Sequence, residues 1–216
     1  MASGLSPAAA LVRAARRLDA RGLVAGMDGN LSVRLGPDRF LTTATATFKA
    51  WLEEADLVEV DSHGQRLAGE RIPTTEFALH AAVYRRRPDV QAVIHAHPPL
   101  ATAFSLAGRE VHPAVLTEGL LTLGLVPTVP YARPGTPELA EATGEALVDR
   151  RACLLAHHGA VTVGSTLEEA LARMETLEQV ALATWIATGL GGATPLPGAE
   201  IRALLAHQGL TPGPNG

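Results

Sequence analysis

The chain has 216 residues, enough for one α/β or α+β core and short for two. Its formal net charge of −4 comes from 18 basic and 22 acidic side chains spread along the length, which argues against a nucleic-acid or anionic-membrane surface. Cys153 is the single cysteine, so no intrachain disulfide can form; with Arg and Asp interrupting the first 22 residues, neither export nor a membrane span is expected, and a reducing cytoplasm is.

Ser6-Pro7 marks a capped helix start, and Leu11, Ala14, Ala15 and Leu18 recur at helical spacing until Gly22. After the turn at 26–30, alternation around Leu31 to Leu35 and Phe40 to Thr43, across Gly36-Pro37-Asp38, predicts a hairpin. Asp56 to Asp61 reads as a third strand ending at His63-Gly64. Pro73-Thr74-Thr75-Glu76 then opens a helix through Phe77, Leu79, His80, Val83 and Tyr84, with Glu76 in its first turn and on the same face as His80. The cations Arg85 to Arg87 fall at the helix end, where they complement its dipole.

Val90 to His97 predicts a buried strand stopped by Pro98-Pro99, followed by a short helix around Ala101 to Leu106. A short strand at Val126 to Val129 and a helix from Thr136-Pro137 to about Asp149 follow. Ala152 to His157 and Ala160 to Val163 flank His158-Gly159 as two strands or one bent hairpin. Thr166 caps a long helix reaching about Gly189, and a last helix is expected near Ala199 to His207. Residues 1–210 are thus expected to form one domain, with 211–216 as a flexible tail. Hairpins outnumber regular βα crossovers and no GxGxxG follows a strand, so the expected α/β fold is a mixed, largely antiparallel sheet with helices on both faces.

Side chains alternate along a strand, so His95 and His97 point to one face and Ile94 and Ala96 to the other. Such a pair can bite one ion at the strand end, although alone it is equally an ordinary couple of histidines. His157-His158-Gly159 ends another apolar strand and supplies a third candidate; spacing alone does not choose between the two histidines. Three neutral imidazoles suit Zn²⁺, with Co²⁺, Mn²⁺ or Fe²⁺ as alternatives, and leave coordination positions open for catalysis. Glu76 beside Thr74 and Thr75 reads either as a helix-start carboxylate or as part of a modest anion site, and Gly29-Asn30 as a turn or a ligand-binding nest.

Taken in order, DGNLSVR (Asp28 to Arg34), PTTEFALHAAVYRRRPDVQAVIHAHP (Pro73 to Pro98), VPYARPGTPELA (Val129 to Ala140) and LLAHHGAVTVG (Leu154 to Gly164) resemble the signature blocks of the class II aldolase/adducin family. That family includes fuculose-phosphate and rhamnulose-phosphate aldolases, ribulose-phosphate 4-epimerase and methylthioribulose-phosphate dehydratase. The resemblance implies αβα layers, a homotetramer with sites at subunit interfaces, and zinc held by His95, His97 and His158. It also implies that Glu76 is the catalytic carboxylate, that Gly29, Asn30, Thr74 and Thr75 stand at the phosphate-binding positions, and that the substrate is a small ketose or ketose phosphate. The activity it points to is metal-dependent (retro-)aldol cleavage through a metal-stabilised enediolate, with Glu76 shuttling a proton.

Two departures stand out. The loop Thr43-Ala44-Thr45-Ala46-Thr47 lacks the glycine that sugar-phosphate members carry after Ser or Thr; Thr45 remains as a substrate-binding candidate and Lys49 closes the segment. Where the fuculose-type aldolase has a proton-donating tyrosine, Val115 to Gly119 holds none, but Glu118 resembles the acid/base glutamate of the dehydratases. The expected order is therefore a carbon–carbon lyase, then a dehydratase or epimerase, then a non-catalytic adducin-like module, which would be expected to have lost its zinc ligands.

Overall fold

The structure, a computed structural model, describes residues 4–207, so the tail expected at 211–216 lies outside the described residues. Along the chain run α1 (Pro7–Ala20), β1 (Asn30–Gly36), β2 (Arg39–Thr43), β3 (Leu57–Val60), β4 (Arg66–Ala68), α2 (Phe77–Arg86), β5 (Ala92–Ala96) and α3 (Pro99–Leu106). Then come α4 (Thr117–Leu123), β6 (Thr128–Val129), α5 (Pro137–Ala146), β7 (Ala152–Leu155), β8 (Gly159–Gly164), α6 (Leu167–Gly189) and α7 (Gly198–His207). The strands form one sheet of order β4-β3-β2-β1-β5-β8-β7-β6, antiparallel throughout except for the β6–β7 pair.

The period of two sorts the strand residues into two apolar layers, as an αβα sandwich requires. Leu31, Val33, Ile94, Ala96, Leu154 and Ala160 pack with Leu11 and Leu18 of α1 and Met174 and Leu177 of α6. Their neighbours Val93, Cys153, Leu155, Val161 and Val163 face the other way, onto Leu79 and Val83 of α2 and Leu139 and Ala140 of α5. Cys153 is fully buried there, and burial pushes its thiol up to about 12, so it is an inert filler of the core. Among the described residues no helix is long and apolar enough to cross a membrane.

Helix starts follow their caps. Ser6 accepts from the Ala9 amide and Thr166 from that of Glu169, while Pro7 supplies the first-turn φ of α1. One expected start is corrected: Glu76 stands at the N-cap of α2 and not in its first turn. The preceding residues are tied sideways instead, Pro73 bridging Ala44 and the Thr74 amide donating to the Thr43 carbonyl, so the threonines belong to the loop wall after β2. Likewise β5 stops at Ala96, because the His97 amide donates to the Leu23 carbonyl outside the sheet. The helix expected to reach about Asp149 ends at Ala146. Two elements carried no clear sequence signal: β4 is exposed throughout, and α4 begins without a side-chain cap.

Candidate metal and substrate site

The central strands β1, β5 and β8 end together, and the site is built on their shared edge. Asn30, the first residue of β1, lies opposite His95 in the β1–β5 ladder, and His95 lies opposite Val161 of β8. His95 and Val93 share the α2 face of the sheet while Ile94 and Ala96 take the other, as alternation requires. His97, just past the strand end, turns its ring back so that its Nε2 lies 3.2 Å from that of His95. The third imidazole is His158. His157 adopts φ +58 in the β7–β8 turn and is exposed, which swings the next side chain onto the triad. A Cβ added to Gly159 would sit 2.5 Å from the Ala96 carbonyl oxygen and 2.7 Å from the His97 ring, so only glycine lets these strand ends approach.

This trio fits a divalent metal. One ligand nitrogen from each of His95, His97 and His158 lies within 4.8 Å of the other two. The Nδ1 of His95 donates to the Ala160 carbonyl at 3.0 Å, and the Nδ1 of His97 faces an Asp28 carboxylate oxygen at 3.3 Å. Those partners take the ring protons and leave two lone pairs opposed at 3.2 Å, an arrangement that a cation resolves. Nitrogens bound at about 2.0–2.1 Å in a tetrahedral site would be separated by roughly 3.3–3.4 Å. Burial, reinforced by the neighbouring His97 and His158, holds His95 well below its ordinary pKa; burial also lowers that of His158, against the pull of Glu76. Both are therefore neutral, as ligands must be.

Glu76 closes the site from α2. Its Oε2 accepts from the Asn30 amide at 2.9 Å and lies 3.5 Å from the His95 Nε2, while its Oε1 lies 3.6 Å from the His158 Nε2. The Oε1 of Glu76 and the Nδ1 of His158 are buried with no hydrogen-bond partner, so each has bonding capacity left over.

That cleft, of about 390 Å³, is lined by Gly29, Asn30, Thr45, Thr74, Thr75 and Glu76, with His97 and His158 at one end. The predicted substrate residues thus converge on the histidines. The loop without glycine keeps a left-handed turn, because Ala46 adopts φ +53 where glycine would be relaxed. Lys49 is sealed beneath this wall and donates to the Met27 and Thr47 carbonyls at 3.0 and 2.9 Å, joining the loop to the turn that carries Asp28. Burial presses its pKa down to about 8, partly offset by Asp28.

Glu118 is the exception among the predicted residues: it is exposed on α4, and no residue of that helix lines the cleft. Asp28 and the buried His80, which bonds Asn30, are site residues that sequence reasoning did not single out for this role. An acid two residues before Asn30, and a histidine four after Glu76, were the available signals.

Comparison with known proteins agrees with this geometry. The family model for the class II aldolase and adducin N-terminal domain matches residues 9–185. A 5-methylthioribulose-1-phosphate/5-deoxyribulose-1-phosphate aldolase of Rhodospirillum rubrum is 35% identical over 195 residues, covering 90% of this chain and 87% of its own. A 3-oxo-tetronate 4-phosphate decarboxylase of Escherichia coli is 36% identical over 175 residues, covering 79% and 82%. The solved structure of an L-fuculose 1-phosphate aldolase superposes with a TM-score of 0.86 at 31% identity, covering 96% of this chain and 97% of that one. With the family model spanning most of the chain and the fold matched along nearly its whole length, the chain belongs to the class II aldolase and adducin family, as an enzyme of the class II aldolase type.

Proposed function

We infer that the protein cleaves or forms the carbon–carbon bond of a small ketose phosphate, using a divalent metal on His95, His97 and His158 and Glu76 as acid and base. The observation that carries this reading is the unpaired, buried Oε1 of Glu76, 3.6 Å from the His158 Nε2 at the head of a cleft walled by threonines. A bound ion, zinc as first choice, supplies Lewis acidity toward a carbonyl and its neighbouring hydroxyl. Retro-aldol cleavage takes a proton from a hydroxyl, breaks the carbon–carbon bond and returns a proton to the carbon left behind. The Oε1 of Glu76 is placed to carry it, while Asn30 holds Oε2. Thr45, Thr74, Thr75 and the Gly29-Asn30 turn line the same cleft and take the phosphate by hydroxyl and amide hydrogen bonds.

The chain further acts as a homotetramer in the cytoplasm, with clefts at contacts between copies. Met27, which lines the cleft, and Phe48, Trp51 and Ile72 support the assembly, since all four expose apolar surface and Phe48 packs at a tilt against Trp51. Glu118, remote from its own cleft, serves only where another copy docks α4 against one.

The test is a screen of the zinc-loaded protein against L-fuculose 1-phosphate, 5-deoxyribulose 1-phosphate and 3-oxo-tetronate 4-phosphate. A two- or three-carbon fragment from one of the first two supports the lyase, and Glu76→Gln should slow that turnover by about 10²–10⁴ with little change in KM. Wild-type turnover in this variant would move the acid/base role elsewhere. Carbon dioxide from the third compound alone would make the enzyme a decarboxylase, as the similar 3-oxo-tetronate 4-phosphate decarboxylase of Escherichia coli is named.

A further inference from the structure

Behind Glu76 a line of polar side chains runs into the core. Asn30, Ser32 and Arg34 alternate on the α2 face of β1, and Glu76, His80 and Tyr84 follow every fourth residue from the N-cap of α2. Two strand residues advance about 6.6–6.8 Å and four helical residues about 6.0 Å, so the two series stay in step. The result is a ladder. The His80 Nε2 lies 2.6 Å from the Asn30 Oδ1, and its Nδ1 lies 2.7 Å from the Ser32 Oγ. Tyr84 donates its hydroxyl to the Ser32 carbonyl at 3.0 Å and touches the Ser32 Oγ at 2.8 Å. Asn30, Ser32, His80 and Tyr84 are all buried, with His80 and Ser32 fully so.

The donor and acceptor inventory fixes the order of protons along this ladder. A carboxylate only accepts, so Asn30 must turn its NH₂ toward Glu76 and its carbonyl oxygen toward His80. That oxygen also only accepts, so His80 carries its proton on Nε2. The bare Nδ1 must then accept, which assigns the Ser32 hydroxyl as its donor. Burial keeps the ring from gaining a second proton, pressing its pKa down to about 3.

We propose that His80, in the neutral Nε2–H form whose bare Nδ1 is met by the Ser32 hydroxyl, is a positioning residue: it locks the Asn30 amide with its NH₂ toward Glu76, so that Oε2 is pinned and Oε1 is presented to the histidine cluster. This rests on the reading of Glu76 as the acid and base. Without His80, the amide can turn over and set its oxygen against the carboxylate, which would displace Glu76 from its place beside His95 and His158.

The experiment combines ¹⁵N-histidine NMR of the full chain at neutral pH with kinetics of zinc-loaded His80→Leu, His80→Gln, Ser32→Ala and Tyr84→Phe. The spectrum of the wild type should show His80 protonated on Nε2 and bare on Nδ1. His80→Leu should lower kcat about ten- to a hundredfold, the scale of a small misplacement of a reacting group, with KM and zinc content unchanged. His80→Gln, whose amide can both donate and accept, should recover part of that loss, and Tyr84→Phe, beyond the bare nitrogen, should stay within about twofold of wild type. Should His80→Leu fail to fold, Ser32→Ala opens no large cavity, takes the donor away from the bare Nδ1 so that its ¹⁵N resonance moves, and should lower kcat severalfold. An Nδ1–H tautomer in the wild type, unchanged kcat in a folded His80→Leu or Ser32→Ala, or a change confined to KM would each overturn the assignment. Full turnover by Glu76→Gln would instead remove the acid/base reading, and the tautomer would still report whether His80 sets the Asn30 amide.

Discussion

His80 and His95 are both sealed from solvent, yet their rings are finished differently. Both nitrogens of His80 meet neutral partners, Asn30 and Ser32, so the ring is saturated and acts inside a closed network. His95 is saturated only on Nδ1, by the Ala160 carbonyl, and its Nε2 faces another nitrogen and a carboxylate. Burial drives both rings to the neutral form. What separates a positioning histidine from a proposed ligand is therefore what lies before the second nitrogen, and the two, one on α2 and one on β5, meet at Asn30 of β1, which bonds His80 and lies opposite His95.

The sharpest way to break this contrast is His95→Ala. It removes the fully buried member of three rings that contact one another pairwise, and two imidazoles then remain. Metal retention should fall by more than the roughly 10–100-fold that an outer-shell partner is worth, with circular dichroism little changed. Zinc content measured after dialysis checks this, and undiminished occupancy would mean that the cluster does not hold the ion. Asp28→Ala asks the same of a second nitrogen. The Asp28 carboxylate faces the His97 Nδ1 but its side chain is 53% exposed, so water can replace it in part. Zinc affinity by chelator competition should drop about tenfold, the lower end of that range. No change would mean that water orients His97 as well as the carboxylate does.

The contrast also marks what could be read from residues alone. Two of the three proposed ligands, His95 and His97, were suggested by a period of two, although β5 ends between them at Ala96, and the sheet and its helical layers follow from the same alternation. The choice of His158 over His157 does not, because it depends on a left-handed residue in the three-residue turn between β7 and β8, whose adjacent side chains could face either way. The helix spacing that put Glu76 and His80 on one face was legible, but their common partner Asn30 depends on the register of β1 against α2, which no local pattern encodes. Pro73-Thr74-Thr75 looked like a helix start because Pro and Thr favour that position; the pairing with Ala44 and Thr43 that turns them into a cleft wall is a long-range contact. Glu118 matched by sequence position, yet α4 lies away from the cleft of its own chain.

The smallest predicted effect concerns strain. Among the described residues, the non-glycine positions with positive φ are Ala46 and His157, one lining the cleft and the other next to His158, whereas the His80 ladder has none. A left-handed L-residue costs roughly 1–2 kcal/mol, and glycine returns about 0.5–1 kcal/mol of that as lost backbone entropy. Ala46 is exposed, so its methyl adds little packing to offset the cost. Ala46→Gly should therefore stabilise the protein by about 0.5–1 kcal/mol, raising Tm by roughly 1–4 °C in thermal unfolding. Phosphate-ester affinity should hold or rise, because the turn that lines the cleft is the one glycine prefers. A lower Tm would show that position 46 is not left-handed, and a higher Tm with weaker binding would show that the methyl, rather than the backbone, is what the cleft uses.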